Sequence, residues 1–382
     1  MPLLRMLATC ALTTMVVAAD PADIPVDVHG FVGFGWFRTW ENTYLVADSQ
    51  QGSTEMWEAA VSVTSRPMDR LRLGVQLFAR DLGIYDNGQP ALDYAYADWR
   101  AEDWLGVQGG RVRIPVGLLQ EEIDNDTART QIFLPWSVYP LRVRDFFLAV
   151  DGAKAYGFIP LGGDQSVEYT AYGGVSTVDE NGGFAISLAR SAYGNINELT
   201  SKRTLGGMLH WNGPEGLSVR GSLWNTTGLS VRGKRGNVST SADIGQYWWT
   251  VASLGWEAGD VQLAAEYSRV HYDGTATFTP PGIRVPVGQN QDGGYVSATW
   301  TANRWLEFYG AVEASRLQIT NEDFGQTRAL VGAFAIRPKP NWSLKLEWRE
   351  LRGQAGYVTT LDNPSGLEQN WRMVALKTTA DF

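Results

Sequence analysis

Apolar and polar positions alternate with a period of two along most of the chain. Trp57, Ala59, Val61 and Val63 share one parity, and Glu58, Ala60, Ser62 and Thr64 the other. Leu71, Leu73, Val75, Leu77 and Ala79 alternate in the same way with Arg72, Gly74, Gln76, Phe78 and Arg80. The pattern returns at Val261–Ser268, at Leu306–Glu313 and at Leu344–Arg349. Successive side chains of a strand point to opposite faces, so each segment has one apolar and one polar face. No segment carries a helical period of comparable strength.

The breaks between these segments have a rhythm of their own. Short turn signals fall at Arg66-Pro67-Met68-Asp69, Ala101-Glu102-Asp103, Leu161-Gly162-Gly163-Asp164, Gly213-Pro214-Glu215-Gly216, Glu257-Ala258-Gly259-Asp260, Thr301-Ala302-Asn303-Arg304 and Lys339-Pro340-Asn341. Longer polar stretches lie between them, near 41–53, 83–90, 115–150, 177–202, 228–244, 273–290, 319–325 and 356–366. Seven short turns alternating with eight long loops predict about 16 strands. An even count with tight turns on one side and long loops on the other is the layout of an all-β, transmembrane antiparallel β-barrel of the bacterial outer-membrane type. Both termini then lie on the tight-turn, periplasmic side.

The ends of the chain fit this reading. Arg5, an apolar run from Met6 to about Val17 and the small residues Val17-Ala18-Ala19 have the layout of a secretory signal peptide, with cleavage expected after Ala19. Residues 1–19 are thus read as the signal and 20–382 as the barrel. Leu7-Ala8-Thr9-Cys10 has the outline of a lipobox, but the apolar stretch before Cys10 is too short. At the other end, Val374, Leu376, Thr378, Ala380 and Phe382 form one face of a last strand, and Ala375, Lys377, Thr379 and Asp381 the other. A final amphipathic strand ending in Phe resembles the signal read by the barrel-assembly machinery. Pairing it with a first strand near Val26–Trp40 removes every sheet edge, as lipid requires.

Composition sharpens the picture in three ways. Cys10 is the single cysteine, so the mature chain has no disulfide, thiol chemistry or cysteine metal site. The formal net charge is −9, and −10 without Arg5, which argues against nucleic acid as a partner. The 16 tryptophans suit a barrel, where aromatic rings belt the lipid–water interfaces.

With the apolar parity facing lipid, the inward parity holds Arg72, Arg80, Arg100, Lys154, Arg220, Lys345, Arg349 and Lys377. It also holds Asp27, Glu58, Asp98, Glu168, Glu266, Glu307, Glu313, Glu347 and Asp381. Sixteen strands leave an interior too wide for side chains to fill, and these charges call for water there. Near balance of the two signs predicts weak selectivity. The third loop, about Pro115 to Val150, is the longest. It carries Glu121, Glu122, Asp124, Asp126 and Asp145 against Arg129, Arg142 and Arg144, around an apolar set from Ile132 to Phe147. A loop this long is functional or disordered, and its aromatics argue against disorder. It is expected to fold into the barrel and narrow the pore, with opposed charges selecting by size and sign.

The stretch Gly110-Arg111-Val112-Arg113-Ile114-Pro115-Val116-Gly117-Leu118 resembles the G-x-hydrophobic-Lys/Arg-x-Pro-x-Gly strand of porins related to the phosphate-selective group. Leu134-Pro135-Trp136-Ser137-Val138-Tyr139, Arg142 and Asp151–Gly157 resemble the third-loop region of proteobacterial porins in that broad class. The resemblance covers about fifty residues. It implies a sixteen-stranded, often trimeric porin with an inward third loop. A dense arginine and lysine ladder is missing here, which separates the chain from phosphate-selective members. Arg111 and Arg113 break the alternation set by Leu105 and Val107. A slip at Gly109-Gly110 is expected to turn both inward, because an arginine facing lipid at mid-depth costs about 2–4 kcal/mol.

The sequence therefore reads as an outer-membrane porin passing small hydrophilic solutes or ions, without a cofactor, trimeric, and embedded in the lipid of a Gram-negative outer membrane. A substrate-selective anion or organic-acid channel is the close alternative. An outer-membrane enzyme is the remote one, since His29, His210 and His271 share no strand end and no Gly-x-Ser-x-Gly elbow is present. The pore candidates are Arg72, Arg80, Arg100, Arg111, Arg113, Glu121, Glu122, Asp124, Asp126, Arg129, Arg142, Arg144, Asp145 and Lys154.

Overall fold

The structure, a computed structural model, describes residues 24–86, 88–119, 123, 126–179, 182–317, 325–354 and 357–382. The signal segment 1–19 lies outside the described residues. Seventeen strands follow in chain order: β1 (Val26–Trp40), β2 (Trp57–Met68), β3 (Leu71–Asp81), β4 (Ala91–Glu102), β5 (Leu105–Arg113), β6 (Ala149–Gly162), β7 (Gln165–Val175), β8 (Asn195–Thr200), β9 (Arg203–Asn212), β10 (Leu217–Arg235), β11 (Val238–Ala258), β12 (Val261–Thr279), β13 (Ile283–Asn303), β14 (Leu306–Leu317), β15 (Gln326–Lys339), β16 (Trp342–Gly353) and β17 (Asn370–Asp381). One short helix, α1 (Gly183–Leu188), lies in the loop after β7.

These strands make one closed antiparallel barrel. β8 and β9 both pair with β10, one above the other, and form a single stave interrupted at Ser201-Lys202. The barrel thus has the sixteen staves expected from the turn rhythm. It closes where β1 pairs with β17 from Phe31↔Asp381 to Trp40↔Arg372. Phe382 completes the seam, since its N–H donates to Gly30 O and its carbonyl accepts from Gly30 N–H. Gly30 suits that position, because a Cβ would lie 2.7 Å from the Ala60 carbonyl oxygen.

Two of the expected long loops are strand instead. The polar stretches 228–244 and 273–290 belong to the hairpins β10–β11 and β12–β13, whose ladders run on to Arg235↔Val238 and Phe278↔Ile283. One face of each extension is exposed and polar, while Leu229, Val231, Ala242, Ile244 and Ala276 on the other are buried. The extensions also carry Thr, Val and Ile, which favour extended chain. Polarity marked the end of the lipid-facing band, not the end of the strand.

The outward faces carry Val, Leu, Ile and Phe, with Trp99, Trp104, Trp256, Trp300, Trp305 and Trp342 exposed near the tight-turn ends. That is an aromatic girdle at one interface. Not every tryptophan belongs to it. Trp224, Trp249 and Trp371 point inward and are at most 1 % exposed.

Candidate functional site

The third loop folds into the lumen, and inward charges on both sides of the barrel hold it there. It leaves the wall after β5, where Ile114 and Val116 become buried. Gly117 N–H donates to Ser222 Oγ (3.1 Å), and Leu118 N–H to Glu266 Oε1 (2.8 Å). Arg220 donates to Gly117 O (2.8 Å). The chain then reaches the opposite staves. Ile132 and Phe133 both donate their N–H to Glu347 Oε2, at 2.6 and 3.0 Å. Arg349 donates to Phe133 O and pairs with both Glu347 and Glu313. Ser137 N–H donates to Glu313 (3.2 Å), and the Tyr139 hydroxyl to Glu266 (2.5 Å). A loop crossing a lumen has no ladder for its backbone groups, so side chains of the wall must satisfy them. Here Glu266, Glu313 and Glu347 accept from its N–H groups, and Arg220, Arg337, Lys345 and Arg349 donate to its carbonyls.

Asp126 is the tip anchor. It is fully buried between Lys345 (3.2 Å), Lys377 (3.3 Å) and Arg129 (3.1 Å), and accepts from Thr379 Oγ1 (2.6 Å). Burial alone would raise its carboxyl, but the three cations outweigh burial and hold it well below the usual carboxylate range. The apolar side chains of the loop pack in two clusters. Phe146 and Phe147 meet Trp224, Tyr247 and Trp249 at centroid distances of 4.7 to 5.9 Å. Trp136 sits among Tyr44, Tyr357 and Trp371. The inward tryptophans are thus the seat of the loop.

On its other side the loop faces β17, β2 and β3 across a narrow opening with a cavity volume of about 60 Å³. Arg80, Arg129, Arg144 and Lys377 line it, with Glu58 and Asp81 as the acids. Phe78, Leu141 and Phe147 add apolar surface. The partners of the arginines lie behind them. Arg144 grips both oxygens of Asp93 at 3.1 and 3.0 Å, and Arg113 shares that carboxylate at 2.8 Å. Asp93 is 2 % exposed. The Arg144 guanidinium lies 4.2 Å over the Phe78 ring, and Arg80 pairs with Asp86. Four cations thus face the opening against two acids; Asp93 and Asp126 are buried behind Arg144 and Arg129, while Asp86 and Glu58 are more exposed than their partners Arg80 and Lys377.

The remaining candidates are scattered. Arg142 reaches the Tyr85 hydroxyl at 3.1 Å, above the opening. Arg72 stands opposite Asp98 near the tight-turn end, and Arg100 pairs there with Asp103 at 3.2 Å. Lys154 lies on the inner face of β6, opposite Gln108 and Tyr172. Glu121, Glu122 and Asp124 lie outside the described residues. Arg111 corrects the sequence reading. The ladder has no slip at Gly109-Gly110, because β5 pairs regularly with β6 from Gly106↔Tyr156 to Arg113↔Ala149. Arg111 keeps the outward parity, beside Asp151 (3.4 Å) and the Leu92 carbonyl (3.0 Å). That partner near the loop-side end of the strand removes the penalty that motivated the slip. Arg113 reaches inward because the ladder ends at it. The irregularity lies one strand earlier, between Gln76 and Leu77 against β4, and turns Asp93 into the lumen.

Asp145 joins the loop to α1 by accepting from Phe184 N–H at 3.1 Å. Burial and the nearby Asp86 push its carboxyl up to about 7. A raised group stabilises most below its unfolded value of about 4, and this contribution is lost as pH rises through about 7. The loop–α1 contact is expected to loosen over that window. Exchange protection of the Phe184 amide, corrected for intrinsic rate, should fall from pH 4 to pH 7 in the parent. It should stay level in Asp145→Asn, and a fall of equal size in that variant would reject the assignment.

No family model matches the sequence, and no curated protein matches it. Solved structures do match in fold. OmpF of Salmonella typhi in complex with daunomycin is 12% identical, with a TM-score of 0.59 over 94% of this chain and 97% of that one. The outer membrane channel DcaP of Acinetobacter baumannii is 12% identical, with a TM-score of 0.57 over 95% and 98%. An anion-selective porin from Comamonas acidovorans is 12% identical, with a TM-score of 0.55 over 94% and 100%. At these identities the likeness is one of fold, and the fold is the sixteen-stranded barrel of outer-membrane porins.

Proposed function

We propose that this chain is an outer-membrane porin through which small hydrophilic solutes diffuse passively, with Met1–Ala19 removed on export. The observation that carries this reading is the third loop, held across the lumen by Glu266, Glu313 and Glu347 on one side and by Asp93 and Arg80 on the other, with a charged opening left against β17, β2 and β3. A loop that served only to plug the barrel would have no need of a cation-faced gap against β17, β2 and β3. The structural neighbours named above are channels and porins in similar barrels, which supports the same reading. A trimeric form of the Vibrio cholerae outer-membrane protein OmpT, 11% identical with a TM-score of 0.55, supports a homotrimer. Phe382, sealing the seam, is our candidate for recognition by the barrel-assembly machinery.

A second reading is favoured by one observation. Four cations, Arg80, Arg129, Arg144 and Lys377, line the opening against two acids, Glu58 and Asp81. A solute in the opening meets positive charge first, which favours anions, organic acids included, over cations. This modifies the weak selectivity expected from the inward charge count, since many of those charges are engaged by the loop.

The test is single-channel conductance of the refolded mature chain in a planar bilayer, with a salt gradient to read the reversal potential. Stable conductance steps with a modest anion preference are expected. Folded barrels that never conduct would reject the porin reading, and a cation-directed reversal potential would reject the anionic one.

A further inference from the structure

The outward face carries one feature that a lipid-exposed wall should avoid. Arg328 on β15, Arg352 on β16, Arg372 on β17 and Arg38 on β1 hold the outward parity near the loop-side ends of four contiguous staves. Arg328 and Arg352 are directly opposite each other across the ladder. Like charges in that position destabilise a sheet unless a counter-charge joins them. Among the described residues neither makes an ion pair, and both are exposed. Arg372 pairs with Glu41 at 3.0 Å, and Arg38 and Arg372 flank the Trp40 ring at 5.0 and 5.9 Å. Glu350 is the other acid of the patch, on the same face of β16. Four arginines against two acids leave local positive charge on a chain whose net charge is −9.

Depth says what the row meets. On β16, Trp342 of the girdle and Arg352 stand at opposite ends of the same outward parity, with Leu344, Leu346 and Trp348 between them. At about 3.3 Å per residue and a tilt of about 40°, they are roughly 25 Å apart along the membrane normal. That is the height of the apolar band of such a barrel. The row therefore lies at headgroup level of the leaflet on the loop side. An outward groove bordered by Arg328, Arg352 and Arg372 continues onto Val312 and Leu330. Guanidinium groups bind phosphate bidentately. From β15 to β1 the row spans three inter-strand steps, roughly 14 Å, which exceeds the reach of a single phosphate.

We propose that this row is a binding site for an acylated lipid whose headgroup carries two phosphates, seated in the loop-side leaflet with acyl chains over Val312 and Leu330. The proposal rests on the reading of the barrel as embedded in an outer membrane with its long loops outward. Four arginines in register, a paired like-charge contact and an apolar groove below them are what such a headgroup and its chains require.

The test uses the refolded mature chain in detergent, titrated with bisphosphorylated lipid A, with its monophosphoryl form and with phosphatidylglycerol. The parent should bind the bisphosphorylated lipid at least about tenfold more tightly than either of the others. Arg328→Gln/Arg352→Gln/Arg372→Gln should lose that preference, and Arg328→Gln/Arg352→Gln alone most of it. Heat-modifiable gel mobility identifies folded barrels. Equal binding by folded parent and variant would overturn the site, as would equal binding of the three lipids by the parent. Conductance is read on the same preparations. A non-conducting barrel that still loses lipid on substitution would reject the pore and leave the lipid site standing.

Discussion

Glu347→Ala should lower the stability of the folded barrel by about 3–5 kcal/mol and make its conductance noisy. Glu347 is 0 % exposed and holds three groups at once: the N–H of Ile132, the N–H of Phe133 and the Arg349 guanidinium. Removing one member of a buried charged network leaves the others desolvated without a partner, and the stated magnitude is that of such a break. Arg349, 1 % exposed, would keep Glu313 and the Phe133 carbonyl but lose its shortest contact. Two loop amides would be orphaned in a place water does not reach. The loop segment from Gln131 to Phe133 would then leave the wall and sample the opening. The measurements are the unfolding midpoint by gel mobility and the variance of the open-channel current. A variant that matches the parent in both would show that the loop is held by its aromatic seat alone. The Asp126 anchor adds a sign to this prediction. Its depressed carboxyl contributes stability that is present above the unfolded value of about 4 and lost only as pH falls below it. Acid should thus release the tip, while the range from pH 5 to 8 should not.

The second large effect concerns charge in the opening. Arg80→Gln/Arg144→Gln should move the reversal potential toward cations. An ion about 4 Å from a unit charge in water-like surroundings interacts by about 1 kcal/mol, which is about fivefold in a permeability ratio. Two such charges make the double variant about twenty-five-fold less anion-preferring. The loss of Arg144 also leaves Asp93 with Arg113 as its ion-pair partner among the described residues, so negative charge emerges where positive charge stood. Arg100→Gln is the control. Arg100 lies near the tight-turn end, its side chain 58% exposed beside Asp103, and its removal should shift the ratio little. Equal shifts from both variants would mean that the field of the whole lumen, not the opening, sets the preference.

Particular residues show how far the sequence could be read. Asp93 has the parity of Ala95 and Ala97, and strict alternation turns it toward lipid. A lone carboxylate there is costly, and that cost was the available sign of an irregularity in β4. The sequence reading placed the slip at Gly109-Gly110 instead, because Arg111 and Arg113 break the alternation set by Leu105 and Val107. Glu266, Glu313 and Glu347 were assigned to the inner face by parity, but their role as acceptors for loop amides was not legible. Parity states which face a side chain occupies and nothing about what crosses the lumen to meet it. The inward tryptophans were hidden for the same reason, since an aromatic residue suits an interface belt and a loop seat equally.

Period two and the alternation of short and long breaks determined, from the sequence alone, a closed antiparallel barrel of about 16 strands. Those features follow from local rules, because a strand exposes alternate residues and lipid tolerates no free edge. Tertiary structure alone decided which inward charges hold the loop and which face the opening, and that Arg111 stays outside beside Asp151. It also decided that arginines of four staves form one row. These depend on register between strands and on the path of a loop with no ladder of its own. Both are set by contacts between residues up to hundreds of positions apart, which no local pattern records.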